Sequence, residues 1–176
     1  FLNIANEWNY KETAMLNIVF YFQVHQPYRL NHFNVLDIAH NAKIFNDKLN
    51  GDIMRKVANK CYLPTNQLLL ELIETYKGRF KVAFSISGTA LEQFKLYSPE
   101  TLDSFKRLVD TGCVELLGET YYHSLAFLLD TNEFLDQVYL HRDLMQTEFG
   151  YYTTTFRNTE LIYQDRLSDI IFEIEG

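Results

Sequence analysis

The chain has 176 residues and a formal net charge of −7, with a sequence pI near 5.2. This length suits one domain with its own hydrophobic core, and 47% hydrophobic and 22% charged residues are typical of a soluble globular protein. The acidic balance, without a run of lysine or arginine, argues against a surface for nucleic acid or for a membrane. Because no secretory leader or membrane-spanning run is visible, we expect a cytoplasmic location.

The first fourteen residues are polar-mixed and have no periodicity, and Met15 stands directly before the first apolar run. We therefore expect residues 1–14 to be an extension or linker and residues 15–176 to form the folded unit. The two cysteines, Cys61 and Cys113, are not at metal-binding spacing. We expect both to be reduced core thiols rather than a disulfide.

An apolar run at 16–21 predicts a first buried strand, which Pro27 must end because proline cannot donate a ladder hydrogen bond. Three polar side chains, Gln23, His25 and Gln26, are thereby placed at the carboxyl end of that strand. Ligands bind at this position in parallel α/β folds. A single histidine at a strand end can equally well bind only a loop carbonyl.

Further strands are predicted at 79–87, 113–117 and, more weakly, 153–157, with Gly88 and Gly118 ending the second and third. Helical spacing of apolar residues separates them, and glycines at 78, 112 and 150 are predicted to end the helices. One helix is predicted to begin at Ser98 and Pro99, and another to be capped by Thr131. A last helix is expected from the apolar spacing at 163–171, with Gly176 just past it.

Strands and helices therefore alternate, which predicts an α/β fold with a parallel sheet and right-handed crossovers. Four such units fit either an open doubly wound sheet or part of a barrel. The periodicity does not choose between them.

Polar residues follow each predicted strand and should converge at one edge of a parallel sheet. They are Gln23, His25 and Gln26; Ser85 and Ser87; Glu115, Glu119 and His123; and Arg157, Asn158 and Glu160. Glu160 is predicted to open a helix, whose free N–H groups would keep its carboxylate ionised, as a nucleophile requires. Glutamate in a first helical turn is also ordinary capping chemistry.

Glu115 is unusual because it lies inside an apolar strand, where an unpaired buried carboxylate would cost several kcal/mol. Either the strand is half exposed, or the carboxylate has a partner or a ligand. For His123, which follows two tyrosines, a solvated loop histidine is the simpler interpretation, and His141 is expected to pack on its helix. The sequence contains no glycine-rich phosphate loop, Gly-x-Ser-x-Gly elbow or His-Glu-x-x-His motif.

Three motifs in order resemble the first three signature regions of glycoside hydrolase family 57, with wording nearest to its α-amylase-type members. They are Gln-Val-His-Gln-Pro-Tyr at 23–28, Val-Glu-Leu-Leu-Gly at 114–118 and Phe-Arg-Asn-Thr-Glu-Leu at 156–161. The resemblance implies the N-terminal part of a parallel (β/α)7 barrel, incomplete in this chain. It also implies a retaining, two-carboxylate reaction on α-1,4-glucans such as starch, glycogen or maltodextrin, without a metal or other cofactor.

By this resemblance Glu160 matches the catalytic nucleophile, His25 the substrate-contacting histidine, and Glu115 the acidic residue of the second motif. Gln23 replaces the first histidine that many members carry, and Arg157 stands where glucanotransferase-like members have tryptophan. The catalytic acid, an aspartate in the family's fourth motif, would lie beyond Gly176. We therefore expect the chain to be inactive alone. A 4-α-glucanotransferase, a branching enzyme and a non-catalytic glucan-binding remnant remain the alternatives.

Overall fold

The computed structural model describes residues 18–34 and 43–175. The described part contains three β-strands and six α-helices: β1 (Tyr21–Val24), α1 (Asp47–Val57), α2 (Leu63–Thr75), β2 (Val82–Ile86), α3 (Gly88–Tyr97), α4 (Pro99–Asp110), β3 (Val114–Leu116), α5 (Thr131–Phe149) and α6 (Asp165–Glu175). A π-helical turn, Ala58–Tyr62, joins α1 to α2, and short 3₁₀ turns cover Ala126–Leu128 and Thr159–Leu161. The predicted linker at 1–14 and the helix end at Gly176 lie outside the described residues.

The three strands form one parallel sheet in the order β1-β2-β3, so the predicted parallel α/β class is confirmed. Phe22 pairs with Phe84, and Phe84 pairs with Leu116. These side chains lie on the face that packs against α2, α3 and α4 and forms the main core. A second cluster, built around Phe127 and Phe134, joins α5 to α6.

Side chains point alternately to the two faces of a strand, so the residues between these apolar positions lie on the opposite face. Most of them are polar, and this face is called the polar face below. Tyr21, Ala83 and Glu115 share one row of this face, and Gln23 and Ser85 share the next. The Tyr21 and Ser85 hydroxyls lie 2.5 Å apart. His25 and Ser87 directly follow β1 and β2 and continue these rows past the carboxyl ends of the strands.

The predicted fourth strand at 153–157 is wrong. Only an isolated parallel bridge between Gly118 and Phe156 forms beside β3. The amide of Gly118 donates to Thr155 O, and the amide of Arg157 donates to Gly118 O, each at 2.8 Å. Because β3 ends at Leu116, the segment has only this short extension to pair with.

Several predicted helix ends are confirmed: Gly78, Gly112 and Gly150 all have positive φ, and Gly150 caps α5 in the left-handed conformation. Gly88 does not simply end a strand, since it begins α3 with Ser87 as the N-cap. The cap of α5 is Asp130 rather than Thr131, because the Asp130 carboxylate accepts from the amides of Asn132 and Glu133.

Helices α1 and α3 were not predicted. Six of the ten residues of α3 are buried, and Thr89 and Gln93 are among them, so polar residues do not mark one exposed face of this helix. Of the two cysteines, Cys113 is buried and free as expected. Cys61 is free but exposed on the π-helical turn, so the prediction of a core thiol is wrong there.

No helix in the described part of the chain is long and apolar enough to cross a membrane.

Candidate functional site

His25 follows β1 directly and is fixed by the start of α3. Its Nδ1 lies 2.8 Å from the Ser87 hydroxyl and 3.4 Å from the Thr89 hydroxyl. Ser87 therefore serves two purposes, since it also accepts the amide of Ala90 as the N-cap of α3. The other ring nitrogen of His25 has no hydrogen-bond partner within 18–34 or 43–175.

His123 stands at the centre of the site. Its Nδ1 lies 2.9 Å from Glu119 Oε2, and its Nε2 lies 3.3 Å from Glu160 Oε1. The His123 ring also stacks on His25, with ring centroids 4.4 Å apart, and the Gln23 amide lies 2.7 Å from Nε2. These five residues, Gln23, His25, Glu119, His123 and Glu160, are called the His123 cluster below.

The loop after β3 holds His123 in a conformation that few residues adopt. His123 has a φ of 55°, and its amide donates to Thr120 O. The preceding Tyr121 accepts a hydrogen bond from the Gly88 amide and donates through its hydroxyl to Glu92. This loop is therefore fixed to the beginning of α3, which also holds His25.

Glu160 does not open a helix, so that prediction is wrong. It lies in the 3₁₀ turn Thr159–Leu161, ahead of the start of α6 at Asp165, with φ 55° and ψ 19°. A left-handed glutamate costs of the order of 1–2 kcal/mol, and such backbone strain clusters at functional sites. The Glu160 side chain is 69% exposed and points its Oε1 at His123. The group that faces the Glu160 carboxylate is thus the His123 imidazole rather than the N-terminus of a helix.

The pKa values of the two stacked histidines, His25 and His123, are shifted in opposite directions. The hydrogen bond that His123 donates to Glu119 raises the pKa of His123, and Glu160 adds to the effect, whereas burial opposes it. Burial lowers the pKa of His25, and the charge of His123 lowers it further. The geometry therefore favours a charged His123 beside a neutral His25.

Glu115 is not brought into the His123 cluster. Its carboxylate accepts a 2.7 Å hydrogen bond from the Thr155 hydroxyl, and its side chain is exposed on the polar face. Both explanations given for it hold at once: the strand is half exposed, and the carboxylate has a partner. Glu115 lines a cavity of about 390 Å³ near the amino ends of the strands, together with Ile18, Lys81 and Gly112.

Arg157 covers the polar face beside the cluster. Its guanidinium lies 4.8 Å from the centre of the Tyr21 ring, a cation–π contact. Its Nε and one terminal nitrogen are buried without a hydrogen-bond partner in the described part of the chain. Asn158, which was grouped with Arg157, instead donates to the Ile162 carbonyl and shapes the turn that carries Glu160.

Glu119 and His123 take a larger part in the site than the sequence predicts. The His123 side chain is only 7% exposed and Glu119 only 1%, so the interpretation of His123 as a solvated loop residue is wrong. A usable signal was present, because a carboxylate and an imidazole four residues apart directly follow a strand. His141, by contrast, packs as predicted: it is fully buried and its Nε2 lies 2.9 Å from the Ile86 carbonyl.

Within the described residues, no group of three histidine, cysteine, aspartate or glutamate side chains is arranged to hold a metal ion.

Comparison with known proteins identifies the family. The family model described as Glycosyl hydrolase family 57 matches residues 19–175. A Methanocaldococcus jannaschii protein, whose name assigns it provisionally to the alpha-amylases, is 47% identical over 159 residues, or 87% of this chain and 33% of that protein. An alpha-amylase from Pyrococcus abyssi is 30% identical over 117 residues, which is 66% of this chain and 17% of that protein.

Among solved structures, a 4-alpha-glucanotransferase from Thermococcus litoralis matches with a TM-score of 0.68 at 22% identity. The match covers 89% of this chain and 21% of that chain, and it is a likeness of fold. The present chain spans about one third of the length of its Methanocaldococcus relative. The matched family model and the 47% identical relative establish that the chain belongs to glycosyl hydrolase family 57.

Proposed function

We propose that this chain is the nucleophile-bearing part of a retaining glycoside hydrolase that cleaves α-1,4-glucans such as starch, glycogen or maltodextrin. The observation that carries the proposal is the exposed Glu160 carboxylate, set beside an almost fully buried histidine at the carboxyl edge of the sheet. Family membership supplies the reaction class, and the names of the relatives point to an α-glucan as substrate.

In the proposed reaction, Glu160 attacks the anomeric carbon of a glucosyl unit while the bond to the leaving glucan oxygen breaks. An acid protonates that oxygen, and water then hydrolyses the glycosyl–enzyme ester. The acid must lie about 5–5.5 Å from the nucleophile in a retaining enzyme. Glu119 is poorly suited to this task, because it is 1% exposed and its carboxylate is bound to His123.

We place the acid in the remainder of a longer protein, on another strand of a (β/α)7 barrel to which the present sheet contributes the first strands. The chain spans about one third of its Methanocaldococcus relative, which is compatible with this placement. In this proposal the 176-residue chain alone has no measurable turnover.

His25 is proposed to contact a sugar hydroxyl. Ser87 holds its Nδ1, and burial keeps the ring neutral by lowering its pKa, so the second nitrogen is available to a hydroxyl. Glu115 is the second proposed substrate contact, since its carboxylate is exposed on the same polar face. Its bond to Thr155 would orient it toward a glucan lying along that face.

The test uses the full-length protein with maltodextrin as substrate. We expect Glu160→Gln to lower kcat at least about 10³-fold, because the amide cannot form the glycosyl ester. The matched control is Glu74→Gln, an exposed glutamate at the far end of α2, which should leave kcat unchanged. In Glu160→Ala, added azide should restore cleavage and yield a glycosyl azide of inverted anomeric configuration.

Product analysis separates the alternatives. Shorter glucans indicate hydrolysis, whereas new longer or branched glucans would assign transfer or branching on the same scaffold. Turnover that survives both substitutions of Glu160 would contradict the nucleophile role and would make this chain a glucan-binding element.

A further inference from the structure

The position of Glu160 raises the question of what fixes its carboxylate. The sequence predicted a helix N-terminus, but Glu160 lies in a short 3₁₀ turn with a left-handed backbone. We propose that His123 is a positioning residue which, held by the buried Glu119 carboxylate, orients Glu160 through a charged N–H. The inference rests on the nucleophile role proposed above for Glu160.

The first support is the number of hydrogen-bond donors that the ring must supply. Glu119 Oε2 faces Nδ1 at 2.9 Å, and Glu160 Oε1 faces Nε2 at 3.3 Å. A neutral imidazole has one N–H and can serve only one of these carboxylates, whereas an imidazolium donates to both. The arrangement is therefore complete only when His123 is charged.

The second support is the burial of Glu119. Its side chain is 1% exposed, and its second oxygen has no partner within the described residues. Burying a carboxylate costs free energy unless a positive charge compensates it. His123, which is hydrogen-bonded to Glu119, can supply that charge. Glu119 consequently fixes a proton on Nδ1 and directs the other N–H toward Glu160.

The groups that face His123 from the neighbouring elements agree with this assignment. Glu119 follows β3 and Glu160 lies in the 3₁₀ turn; both raise the pKa of His123. The stacked His25, just past the end of β1, has a lowered pKa, caused first by burial and then by the charge of His123. The positive charge of Arg29 also lowers the pKa of His25, which leaves His123 as the charged ring of the pair.

Gln23 supplies a competing interaction. Its side-chain nitrogen lies 2.7 Å from the same Nε2 that faces Glu160 and 3.1 Å from Nδ1. A charged ring can only donate at Nε2, so the amide must then present its oxygen; a neutral Nε2 accepts from the amide NH₂ instead. When His123 loses its proton, Glu160 therefore loses its donor while Gln23 keeps a partner.

The expected pH dependence follows from the direction in which the pKa of His123 is shifted. Because the pKa of His123 is raised, the charged ring persists above the ordinary histidine value of 6.5 and is lost only as pH rises through the raised value. We expect kcat of the full-length protein to fall on the alkaline side with the titration of His123. Glu119→Gln should move this alkaline limb to lower pH, because the pKa of His123 loses its largest raising cause.

The decisive measurement is NMR of the full-length protein labelled with ¹³Cε1-histidine, in which His123→Gln assigns the signal. We expect His123 to titrate above 6.5 in the unmodified protein, and at lower pH in both Glu119→Gln and Glu160→Gln. In kinetics, His123→Gln should lower kcat about 10- to 100-fold, with a smaller effect on KM, and should remove the alkaline limb. His32→Gln, an exposed histidine outside the cluster, is the matched control and should change neither.

The inference is overturned if His123 titrates at or below 6.5, or if its titration does not respond to Glu160→Gln. It is also overturned if His123→Gln keeps the alkaline limb in place. Failure of the proposed function gives a different result, since turnover would then survive Glu160→Gln while the NMR titration still reported the contacts of His123.

Discussion

Gly88 shows how the absence of one side chain positions the loop that carries His123. A Cβ atom at Gly88 would lie 2.5 Å from the Tyr121 ring, closer than real contacts allow. The Gly88 amide also donates to the Tyr121 carbonyl at 2.9 Å. Glu92 accepts hydrogen bonds from the hydroxyls of both Tyr28 and Tyr121, and burial followed by these contacts raises the pKa of each phenol. Tyr121 is therefore held in place at both its carbonyl and its hydroxyl.

We expect Gly88→Ala to destabilise the protein by about 1–3 kcal/mol, since an added methyl group overpacks a fixed ring. Urea denaturation measures this loss, and the NMR signal of His123 should shift because its loop moves. Gly51→Ala in α1 is the control: its Cβ would lie 3.1 Å from the flexible end of Arg55 and 3.2 Å from the Tyr97 ring, distances that small shifts relieve, so the change should stay within about 1 kcal/mol. Equal effects of the two substitutions would contradict the packing argument.

The residues of the candidate site could be grouped from the sequence, but the way they are arranged could not be predicted from it. Strand ends in a parallel sheet meet at one edge, so His25, Glu119 and His123 could be grouped from the sequence. The backbone of Glu160 could not, because a positive φ in a glutamate depends on the surrounding packing rather than on local preference. The partner of Glu115 was equally hidden, since Thr155 approaches from a segment forty residues away.

The start of α5 depends on one carboxylate. Asp130 has extended backbone angles and accepts from the amides of Asn132 and Glu133, which have no partner inside the helix. The neighbouring Thr131 hydroxyl accepts from Arg166 of α6 instead. Both residues carry oxygen side chains suited to capping, so the sequence alone did not separate them.

We expect Asp130→Ala to cost about 1 kcal/mol of unfolding free energy, with a range of 0.5–2, because the first turn of α5 loses its acceptor. Thr131→Ala removes one exposed contact and should cost less than about 0.5 kcal/mol. Thermal or urea unfolding of the two variants distinguishes the caps. A larger loss from Thr131→Ala would show that the threonine is the functional cap.

Secondary structure followed the sequence at the glycines that end helices, where backbone chemistry decided it. Gly78, Gly112 and Gly150 end helices with positive φ, as their positions predicted. The prediction failed where tertiary pairing decided instead. The segment at 153–157 has the composition of a strand, yet it finds only Gly118 to pair with.

The sheet has an open edge in the described part of the chain, because β1 pairs there only with β2. Val19, just before β1, is 81% exposed, and the neighbouring Ile18 and Phe20 are exposed as well. An unpaired strand edge flanked by apolar side chains is a template for association between chains. The exposed side chains at this edge therefore make self-association of the 176-residue chain an expected property.

We expect Val19→Lys to reduce that self-association, since a charged side chain beside an open edge opposes pairing. Sedimentation velocity over a range of concentrations measures the effect. Leu129→Lys is the control, because Leu129 is 93% exposed but lies in the loop before α5, away from β1. An equal effect of both substitutions would point to general surface hydrophobicity rather than to the strand edge.

The sequence by itself determined the parallel α/β class, the approximate places of three strands and four helices, and the family, because these depend on local periodicity and short motifs. Only the tertiary structure decided which polar groups meet. It placed a buried imidazole between Glu119 and Glu160 and kept Glu115 on Thr155, because hydrogen bonds between segments far apart in the chain depend on packing that no local pattern encodes.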